Sequence, residues 1–456
     1  MSENYDVVII GAGITGLVTG YELNGLKVKI LEQKPQVGGV IQSSRVDGYL
    51  LEYGPNSFQE SDEINDLIKK LNLSSELVTA DPKMPRYVYF QGKLEPVPLS
   101  PPAMLSSKLL SLSGKLRILA EPLISKRKDK SEESIASFMR RRLGSEVHDR
   151  LVSPFVSGVY AGNTETLSLG ASFPSLAELE SNYGSIILGA IKSRKNSAKQ
   201  SDQKKLAKRL CSFTDGLATL PKALASQLKD SITTNCQILE LTISKNTPYY
   251  TIKFQVDNNI EQISTNHLVL ATPAYITANL LANYLPKLAN ELQAIDYVSM
   301  VIVHLSLSLS DLAQELNGFG FLVPRSENIR LLGSIWSSSL FPNRAPKGQV
   351  LLTNFIGGAH DTQAFSLSDK ELGEIIGEDL KSILGIKTTP NLVKVYKYQR
   401  AIPQYTLGHL SRLATIESAL KSQPNLHLAS NYLQGVSVPD CVSRGKKLAT
   451  KIKAMF

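Results

Sequence analysis

Apolar positions along the chain follow two patterns, which predict strands and helices. Short apolar runs rich in β-branched residues, the first at 7–10, are typical of strands buried on both faces of a parallel sheet. We predict further strands at 28–31, 86–90, 249–256, 267–270, 298–307, 330–335, 350–355 and 426–430. Apolar residues at helical spacing predict helices over 60–72, 132–152, 217–229, 275–295 and 368–384. Strands and helices therefore alternate, with long runs typical of antiparallel strands in the middle of the chain.

The first predicted strand leads directly into Gly-Ala-Gly-Ile-Thr-Gly at 11–16, and a helical pattern follows. In this context Gly11 permits a tight turn, Gly13 lets the backbone approach a pyrophosphate, and Gly16 lets the helix pack closely on the strand. The helix N-terminus then faces the phosphate charge. Glu32 ends the second predicted strand, where its carboxylate can accept hydrogen bonds from ribose hydroxyls. Together these residues predict a dinucleotide-binding site.

A second pair of glycines favours FAD over NAD as the dinucleotide. Gly38 and Gly39 follow Glu32 in a Glu-x5-Gly-Gly arrangement, which NAD dehydrogenases normally lack and which allows another backbone approach to an extended diphosphate. Gly54-Pro55 forms a bend that can bring backbone amides to the flavin ring. Read with the opening glycines, this arrangement resembles the FAD-binding amine oxidase superfamily.

The end of the chain repeats the strand–turn–helix pattern at 425–445, which predicts further helix N-terminal amides beside the flavin or the diphosphate. The fold class we predict is α/β (α+β), with a Rossmann-like FAD-binding domain, an inserted mixed-sheet substrate domain and a helical insertion. We assign residues 1–80, 208–275 and 425–456 to the discontinuous FAD-binding domain, 81–99 and 276–424 to the substrate-binding domain, and 100–207 to the helical insertion.

Composition and charge narrow the class of function. With 456 residues, 42% of them hydrophobic and 20% charged, the chain has the composition of an ordinary globular protein. Its net charge of +9 is concentrated in residues 126–130, which carry +3, and residues 192–209, which carry +7, so the remainder is nearly neutral. We therefore expect no nucleic-acid partner. The three cysteines and six histidines have no metal-ligand spacing, so we predict no metal site and a reducing compartment.

Residues 100–125 are apolar at roughly helical spacing, with lysine and arginine interleaved. Two interpretations stay open: an amphipathic helix pair that covers a core, or an apolar entrance that rests on a membrane surface, with 126–130 attracting anionic headgroups. The charges at 192–209 form either a solvated loop or part of that attachment. No run of about 18 apolar residues predicts a spanning helix. We expect a cytoplasmic protein at the inner face of a membrane, or a chloroplast or mitochondrial one if an upstream transit peptide was removed.

Segments from nearly the whole chain carry a resemblance to one family. They are DGYLLEYGPNSFQ (47–59), RRRLGSEV (140–147), SGVYAGNTETLSL (157–169), SFPSL (172–176), GFGFLVP (318–324), TNFIGG (353–358), AIPQYTLGH (401–409) and GVSVPDC (435–441). The chain resembles the oxygen-dependent protoporphyrinogen oxidase family, in particular its plant-chloroplast and bacterial members. The resemblance implies an amine oxidase or p-hydroxybenzoate hydroxylase-like fold. It also implies six-electron oxidation of protoporphyrinogen IX to protoporphyrin IX by FAD, with O₂ reduced to H₂O₂, in haem and chlorophyll biosynthesis. A membrane surface, ferrochelatase and a second copy of the chain are the further partners to consider.

The resemblance also implies roles for individual residues. Arg86 would pair with a substrate propionate, Leu322 and Ile335 would lie on one side of the macrocycle, and Phe355 would stack on the other. Gly158 would bring backbone close to the ring, and Tyr398 would lie on the flavin side. The cofactor-binding residues implied are Gly11, Ala12, Gly13, Ile14, Thr15, Gly16, Glu32, Gln33, Gly38, Gly39, Val40, Gly54, Pro55, Asn56, Ser57, Ile238, Tyr398, Val436, Ser437 and Val438. The reaction expected is hydride transfer to the flavin, and no residue is assigned as a general base.

Three alternatives stay open. A coproporphyrinogen III oxidase has the same fold and cofactor, but its substrate has four propionates and should need a more cationic cleft. A flavin amine oxidase or carotene desaturase is disfavoured by the segments at 157–163 and 401–409. A non-enzymatic escort or dissociation-inhibitor protein on the same fold would lack flavin, and the intact 425–445 segment argues against it.

Overall fold

The computed structural model describes residues 3–127, 129, 131–200, 209–423 and 425–456, without the side chains of 101 and 194–200. Residues 128, 130 and 201–208 of the two basic segments lie outside the described residues. In chain order the strands are β1 Glu3–Ile10, β2 Val28–Leu31, β3 Ser43–Val46, β4 Tyr49–Glu52, β5 Phe58–Gln59, β6 Leu77–Thr79, β7 Tyr87–Phe90, β8 Lys93–Pro96, β9 Leu210–Phe213, β10 Ile232–Thr233, β11 Cys236–Ile243, β12 Tyr250–Val256, β13 Asn259–Leu270, β14 Tyr297–Ser308, β15 Gly320–Leu322, β16 Leu331–Trp336, β17 Gln349–Gly357, β18 Asn391–Pro403 and β19 Leu426–Leu428. The α-helices are α1 Ile14–Glu22, α2 Asp62–Lys70, α3 Pro101–Ser106, α4 Leu112–Leu119, α5 Ile135–Leu143, α6 Ser145–Val147, α7 Ser153–Tyr160, α8 Leu169–Ser172, α9 Pro174–Tyr183, α10 Ile186–Gln200, α11 Thr219–Gln227, α12 Ala274–Leu281, α13 Pro286–Gln293, α14 Ser337–Leu340, α15 Asp369–Leu384, α16 His409–Leu420 and α17 Val438–Lys453.

The first large sheet has the strand order β10-β2-β1-β13-β12-β11, and β19 pairs with β13. Its β1, β2, β10, β13 and β19 run parallel, whereas β11 and β12 form an antiparallel extension. Because side chains alternate along β1, Val7 and Ile9 enter the core shared with α1 and α17, while Val8 and Ile10 enter the core on the opposite face. Burial on both faces explains why 7–10 is an uninterrupted apolar run.

The second large sheet has the order β18-β14-β17-β16-β15-β7-β8. Its neighbouring strands are antiparallel except for β15 and β7. On one face, Val301, Val303 and Leu305 of β14 pack against α15. On the other face, Met300 and Ile302 of the same strand pack in a separate cluster. The alternation along β14 therefore gives this sheet one face for its own core and one face for a cleft.

The segment from α3 to α10 is helical and has a core of its own, to which Phe138, Val156 and Tyr160 contribute. Tyr405, which follows β18, enters this core and ties the helical segment to the second sheet. Among the described residues, no helix is both long enough and apolar enough to cross a bilayer.

Most predicted strands are confirmed, whereas two predicted helices are wrong. The single helix predicted over 132–152 ends at Gly144, whose φ of +90° closes α5, and the chain continues through α6 and a π-helical turn at His148–Val152. The single helix predicted over 275–295 is interrupted before Pro286, which begins α13 and cannot donate the backbone hydrogen bond that would continue α12. Ten of the described strands are absent from the prediction, namely β3, β4, β5, β6, β8, β9, β10, β11, β15 and β18.

The strands of the first sheet all come from the segments assigned to the FAD-binding domain, and those of the second sheet from the segments assigned to the substrate-binding domain. The helices cross this division. Residues of α12, α13 and α16 pack against the first sheet, because Leu281, Leu292 and Ile416 join the cluster around Val8 and Ile10. The exact domain boundaries stay a prediction.

Candidate active site

The glycine turn after β1 is closely packed at two of its three glycines. Gly11 has φ +106°, and a Cβ there would lie 2.9 Å from the carbonyl oxygen of Ala271. A Cβ on Gly16 would lie 2.1 Å from the carbonyl oxygen of Gly11. At Gly13, by contrast, an added Cβ would meet nothing within 4 Å. Two glycines therefore shape the turn, and the third presents bare backbone to open space.

This bare backbone lies at the start of α1 and beside the second glycine pair. Gly13 caps α1, and among the described residues no side chain accepts a hydrogen bond from the first-turn amides, so these donors are available to an anion. Gly38 pairs with Gly13, and its amide donates to the Ala12 carbonyl at 2.7 Å. A Cβ on Gly39, whose φ is +64°, would lie 3.5 Å from the Cα of Gly13. The two glycine pairs thus form one backbone cradle, which fits the diphosphate of a dinucleotide.

Glu32 is fixed at the edge of this cradle, at the C-terminal end of β2. Its carboxylate oxygens accept hydrogen bonds from the amides of Ala12, at 2.7 Å, and of Lys34, at 2.9 Å. The Glu32 carbonyl accepts from the Cys236 amide at 2.9 Å, and β11 begins there. Ile238 lies in β11, a strand absent from the prediction, two positions after the residue that contacts Glu32. Gln33, which follows Glu32, is exposed.

The Gly54-Pro55 bend packs directly on the segment that follows the second glycine pair. A Cβ on Gly54 would lie 2.3 Å from the Val40 carbonyl oxygen, so only glycine fits this approach. The side chain of Asn56 is buried and donates to the Gly54 carbonyl at 3.3 Å. Ser57 continues this bend into β5. Residues 38–40 and 54–57, which the resemblance assigns to FAD, are therefore neighbours.

The start of α17 faces the same sheet edge as the start of α1, because both helices follow parallel strands that end at that edge. Ser437 caps α17 and forms a capping box with Asp440. Val438 is buried in the core that includes α1, while Val436 packs against the core of the helical segment. A Cβ on Gly445 would lie 2.9 Å from Val18 Cβ, so the two helices pack closely. Two helix N-termini therefore converge on the predicted cofactor site.

The second sheet brings the predicted substrate residues together on one face. Directly paired residues of neighbouring strands lie on the same face, and Gly333 is opposite both Leu322 and Phe355. The adjacent row pairs Ile335 with Thr353. Two further pairings extend this face into β14 and β18: Ile302 lies opposite both Phe355 and Tyr396, and Tyr398 lies opposite Met300. We call these residues the cleft face.

The helical segment covers this face at Gly158 of α7. A Cβ on Gly158 would lie 2.8 Å from Leu322 Cδ2, so the α7 backbone and the Leu322 side chain are in contact. The cleft face is also rich in neutral tyrosines. Burial is the main cause that raises the pKa of Tyr398 to about 12, so this phenol stays protonated at neutral pH. The rings of Tyr53 and Tyr396 stack with centroids 3.7 Å apart, which joins the end of β4 to the cleft face.

Arg86 supplies a cation at the rim of the cleft face. It is exposed just before β7, and its guanidinium carbon lies 5.4 Å from the ring centroid of Phe319. Phe319 packs in one cluster with Ile335, so Arg86 lies beside the row that contains Ile335. Within the described part of the chain, no carboxylate lies at salt-bridge distance from Arg86. The same part of the chain contains no cluster of His, Cys, Asp or Glu that could hold a metal ion.

Sequence reasoning misses two buried polar residues near this face. Glu52 lies in an apolar strand, at the end of β4, and His304 lies in the apolar run of β14; both are fully buried. A charged residue inside an apolar run is the signal that could have identified Glu52.

Residues 14–453 match the family described as flavin containing amine oxidoreductase. The chain belongs to this family. A chloroplastic protoporphyrinogen oxidase of Nicotiana tabacum is 36% identical over 468 residues, which cover 98% of this chain and 85% of that protein. A coproporphyrinogen III oxidase of Bacillus subtilis is 31% identical over 461 residues, which cover 96% of each chain. The protein is therefore an FAD-dependent oxidoreductase of the porphyrinogen oxidase type.

Solved structures agree on the fold. A putative protoporphyrinogen oxidase from Exiguobacterium has a TM-score of 0.82 at 24% identity, with 100% of both chains covered. Reduced UDP-galactopyranose mutase has a TM-score of 0.75 at 16% identity, with 99% of this chain and 96% of that chain covered. These structures and the family match confirm the predicted fold class, and the family match and the curated relatives confirm the predicted FAD and the predicted oxidoreductase class. Family membership also favours an enzyme over the flavin-free escort protein.

Proposed function

We propose that this protein oxidises protoporphyrinogen IX to protoporphyrin IX with FAD and O₂. The observation that carries the proposal is the cleft face, where Leu322, Ile335 and Phe355 share one surface with the unpaired cation Arg86 at its rim. Protoporphyrinogen is a large apolar tetrapyrrole with two carboxylates. It requires a wide apolar surface and a cation at the mouth, which is the arrangement found here. The 36% identity to the chloroplastic protoporphyrinogen oxidase supports the same substrate.

In this proposal the chain's residues hold and orient both reactants. The amides at the start of α1 and the backbone of Gly13 and Gly39 would hold the diphosphate, while Glu32 would bind the ribose and residues 54–57 would lie along the flavin ring. Bound FAD supplies a two-electron acceptor that O₂ can reoxidise. The apolar residues of the cleft face exclude water and hold the ring against the flavin, and this positioning accounts for most of the protein's contribution.

Turnover of the two porphyrinogens tests the substrate assignment. We expect purified protein to give a higher kcat/KM with protoporphyrinogen IX than with coproporphyrinogen III. The cation identified at the rim of the cleft face is Arg86, and a substrate with four carboxylates should require more cations than one with two. Relatedness to the coproporphyrinogen III oxidase of Bacillus subtilis makes the tetra-acid the second candidate. A clear preference for the tetra-acid would replace the proposed substrate.

Arg86→Ala is expected to raise KM by about 10- to 100-fold, because a hydrogen bond to a charged group contributes about 1.5–3 kcal/mol. The variant should retain FAD, since Arg86 lies at the rim of the cleft face and not at the backbone cradle of the two glycine pairs. Lys83→Ala provides the matched control, because Lys83 is an exposed cation in the segment that precedes Arg86. Steady-state kinetics with protoporphyrinogen IX measure the change. Unchanged KM in Arg86→Ala would remove Arg86 from the substrate site.

We further propose that the helical segment rests on the inner face of a membrane. Leu112, Leu116, Leu119 and Leu123 recur at helical spacing along α4 and the turn that follows it, and each is between 57% and 86% exposed. Such an apolar stripe is typical of an interfacial helix. The basic residues Lys115, Arg117 and Lys126 flank the stripe and can attract anionic headgroups.

Replacing Leu116 and Leu119 together by aspartate is expected to weaken binding to vesicles of phosphatidylcholine with phosphatidylglycerol by at least about 10-fold. Burying one leucine contributes about 1.5–3 kcal/mol, and the added charges oppose insertion. Co-sedimentation measures the change. Leu309→Asp is the matched control, because Leu309 is 50% exposed outside the helical segment. Equal binding by the double variant and the control would exclude the stripe as the membrane contact.

A further inference from the structure

A small cavity lined by four polar and four apolar residues lies between residues 54–57, which are predicted to lie along the flavin, and the cleft face. Its volume is about 10 Å³, which is enough for a single water molecule. Asn56 is one of residues 54–57 and Ile335 belongs to the cleft face, so the cavity touches both parts of the candidate active site. The lining residues are Leu50, Glu52, Asn56, Ile335, Ser337, Leu340, Phe341 and Arg344.

The ionisable group in this cavity that could accept a proton is Glu52, which is 3% exposed. One carboxylate oxygen accepts from the Ser43 hydroxyl at 2.6 Å, and the other accepts from the Leu217 amide at 2.9 Å. Arg344 is the nearest cation, but its Nη2 lies 4.0 Å from Oε1 and instead donates to Ser212 Oγ at 2.8 Å. A water molecule in the cavity can therefore bridge this gap and reach the carboxylate.

Because Glu52 is buried, its carboxyl changes protonation state close to neutral pH. Loss of hydration raises the pKa of this carboxyl to about 7, although its hydrogen bonds with Ser43 and Leu217 and the charge of Arg344 act to lower it. A carboxylate with a pKa close to the working pH can take up a proton and release it again.

A chain of hydrogen bonds through His304 and Thr353 orients the hydroxyl of Ser337, which lines the cavity. His304 Nε2 lies 3.1 Å from the Glu52 carbonyl oxygen, and because a carbonyl can only accept, Nε2 carries the proton. Nδ1 of the neutral ring then accepts from the Thr353 hydroxyl at 3.2 Å, and Thr353 accepts from the Ser337 hydroxyl at 2.8 Å. Burial lowers the pKa of His304 to about 4, which keeps the ring neutral at pH 7. The Ser337 oxygen therefore keeps an acceptor position for a water proton.

We propose that Glu52 accepts, through one water molecule in this cavity, the proton that leaves the porphyrinogen in each two-electron oxidation. This inference rests on the proposed function. In each step the C–H bond breaks and its electron pair leaves with the hydrogen as hydride for the flavin. In the first two steps a pyrrole N–H bond also breaks, and in the third step a C–H bond of the last meso CH₂ group breaks instead. The proton released passes to the water as the water gives one of its own protons to Glu52. The substrate loses one hydride, which carries the two electrons, and one proton. The carboxylate becomes a neutral carboxylic acid, which releases its proton before the next step.

The charged groups around Glu52 leave its titration distinct from theirs. Arg344 stays cationic, although burial lowers its pKa. Asp215 and Arg45 lie farther out and pair with each other at 2.8 Å on the surface. His304 contacts the Glu52 backbone and titrates well below neutrality. An ionisation near pH 7 at this cavity is thus expected to belong to Glu52.

Glu52→Gln tests the assignment with little expected effect on the fold. The glutamine carbonyl can still accept from the Leu217 amide, and its NH₂ group can donate to Ser43 Oγ. In the wild-type FAD-loaded enzyme, we expect the rate of flavin reduction by protoporphyrinogen IX, measured by anaerobic stopped flow, to fall as pH drops through about 7. The variant should lose this pH dependence, with a rate about 10²- to 10⁴-fold lower at pH 8 and FAD retained. An unchanged pH profile in the variant would overturn the proposal.

An infrared titration of the oxidised FAD-loaded enzyme without substrate gives a readout independent of activity. The carbonyl stretch of a protonated carboxyl should disappear as pH rises through about 7, and it should be missing from Glu52→Gln. A wild-type enzyme that shows this band but oxidises no porphyrinogen would refute the proposed function and leave the titration of Glu52 intact. If Glu52→Gln does not fold, Ser337→Ala replaces it. This variant should slow flavin reduction at least about 10-fold without moving the pH midpoint, and an unchanged rate would contradict the water bridge.

Discussion

Gly13→Val is expected to give a folded but colourless protein. Gly13 has φ −68° and ψ 171°, a conformation that valine adopts readily, and an added Cβ meets no atom within 4 Å. The apo fold should therefore be unaffected. The side chain would instead occupy the space where a diphosphate approaches the amides of α1. Loss of two hydrogen bonds to a charged group would cost about 3–6 kcal/mol, which weakens FAD binding by about 10²- to 10⁴-fold.

Gly16→Ala separates this effect from a loss of fold. Its Cβ would lie 2.1 Å from the Gly11 carbonyl oxygen, which belongs to the backbone and cannot rotate away. We expect this variant to have lower thermal stability even without FAD, whereas Gly13→Val should keep the wild-type apo stability. Flavin absorbance of the purified proteins and thermal unfolding of the apo forms distinguish the two variants. Full FAD occupancy in Gly13→Val would show that the diphosphate binds elsewhere.

Arg142→Met is expected to destabilise the protein by about 3–5 kcal/mol, because it leaves a buried carboxylate without its cation. Arg142 and Glu121 are both 0% exposed and form an ion pair in the core of the helical segment. The guanidinium also donates to the carbonyls of Ile124, at 2.9 Å, and Gly184, at 2.8 Å. One side chain thus joins three parts of the helical segment, so its loss should lower the stability of the whole segment.

Arg140→Met is the matched control for this experiment. Arg140 lies two positions earlier on the same helix and pairs with Glu165 at 2.6 Å, but both side chains are substantially exposed. An exposed pair contributes about 0–1 kcal/mol, so this variant should unfold close to the wild-type midpoint. Urea unfolding followed by circular dichroism measures both changes. Equal stability of the two variants would contradict the role assigned to the buried pair.

The cofactor half of the site could be predicted from the sequence because its determinants are local. Gly11, Gly13 and Gly16 lie within one turn, and their spacing alone predicts where backbone atoms approach each other closely. Glu32 could be predicted because it directly follows the short apolar run at 28–31 that forms the second strand. The break in the helix predicted over 132–152 could not be predicted in this way. An isolated glycine can lie within a helix, and only the structure shows that Gly144 has a φ of +90°, which ends α5.

The cleft face could not be derived from local pattern, because it depends on strand register. Leu322 and Phe355 are separated in sequence and meet only across Gly333 of a third strand. A one-residue change of register would turn either side chain to the opposite face. The resemblance to a family supplied these residues, while the network of Glu52 and His304 was missed because it joins strands of different sheets.

Anaerobic mixing of the purified FAD-loaded protein with protoporphyrinogen IX tests whether this porphyrinogen reduces the flavin. We expect the oxidised flavin absorbance to be lost on mixing and to return when O₂ is admitted, while protoporphyrin fluorescence increases. A flavin that stays oxidised in the presence of protoporphyrinogen IX would contradict the proposed function.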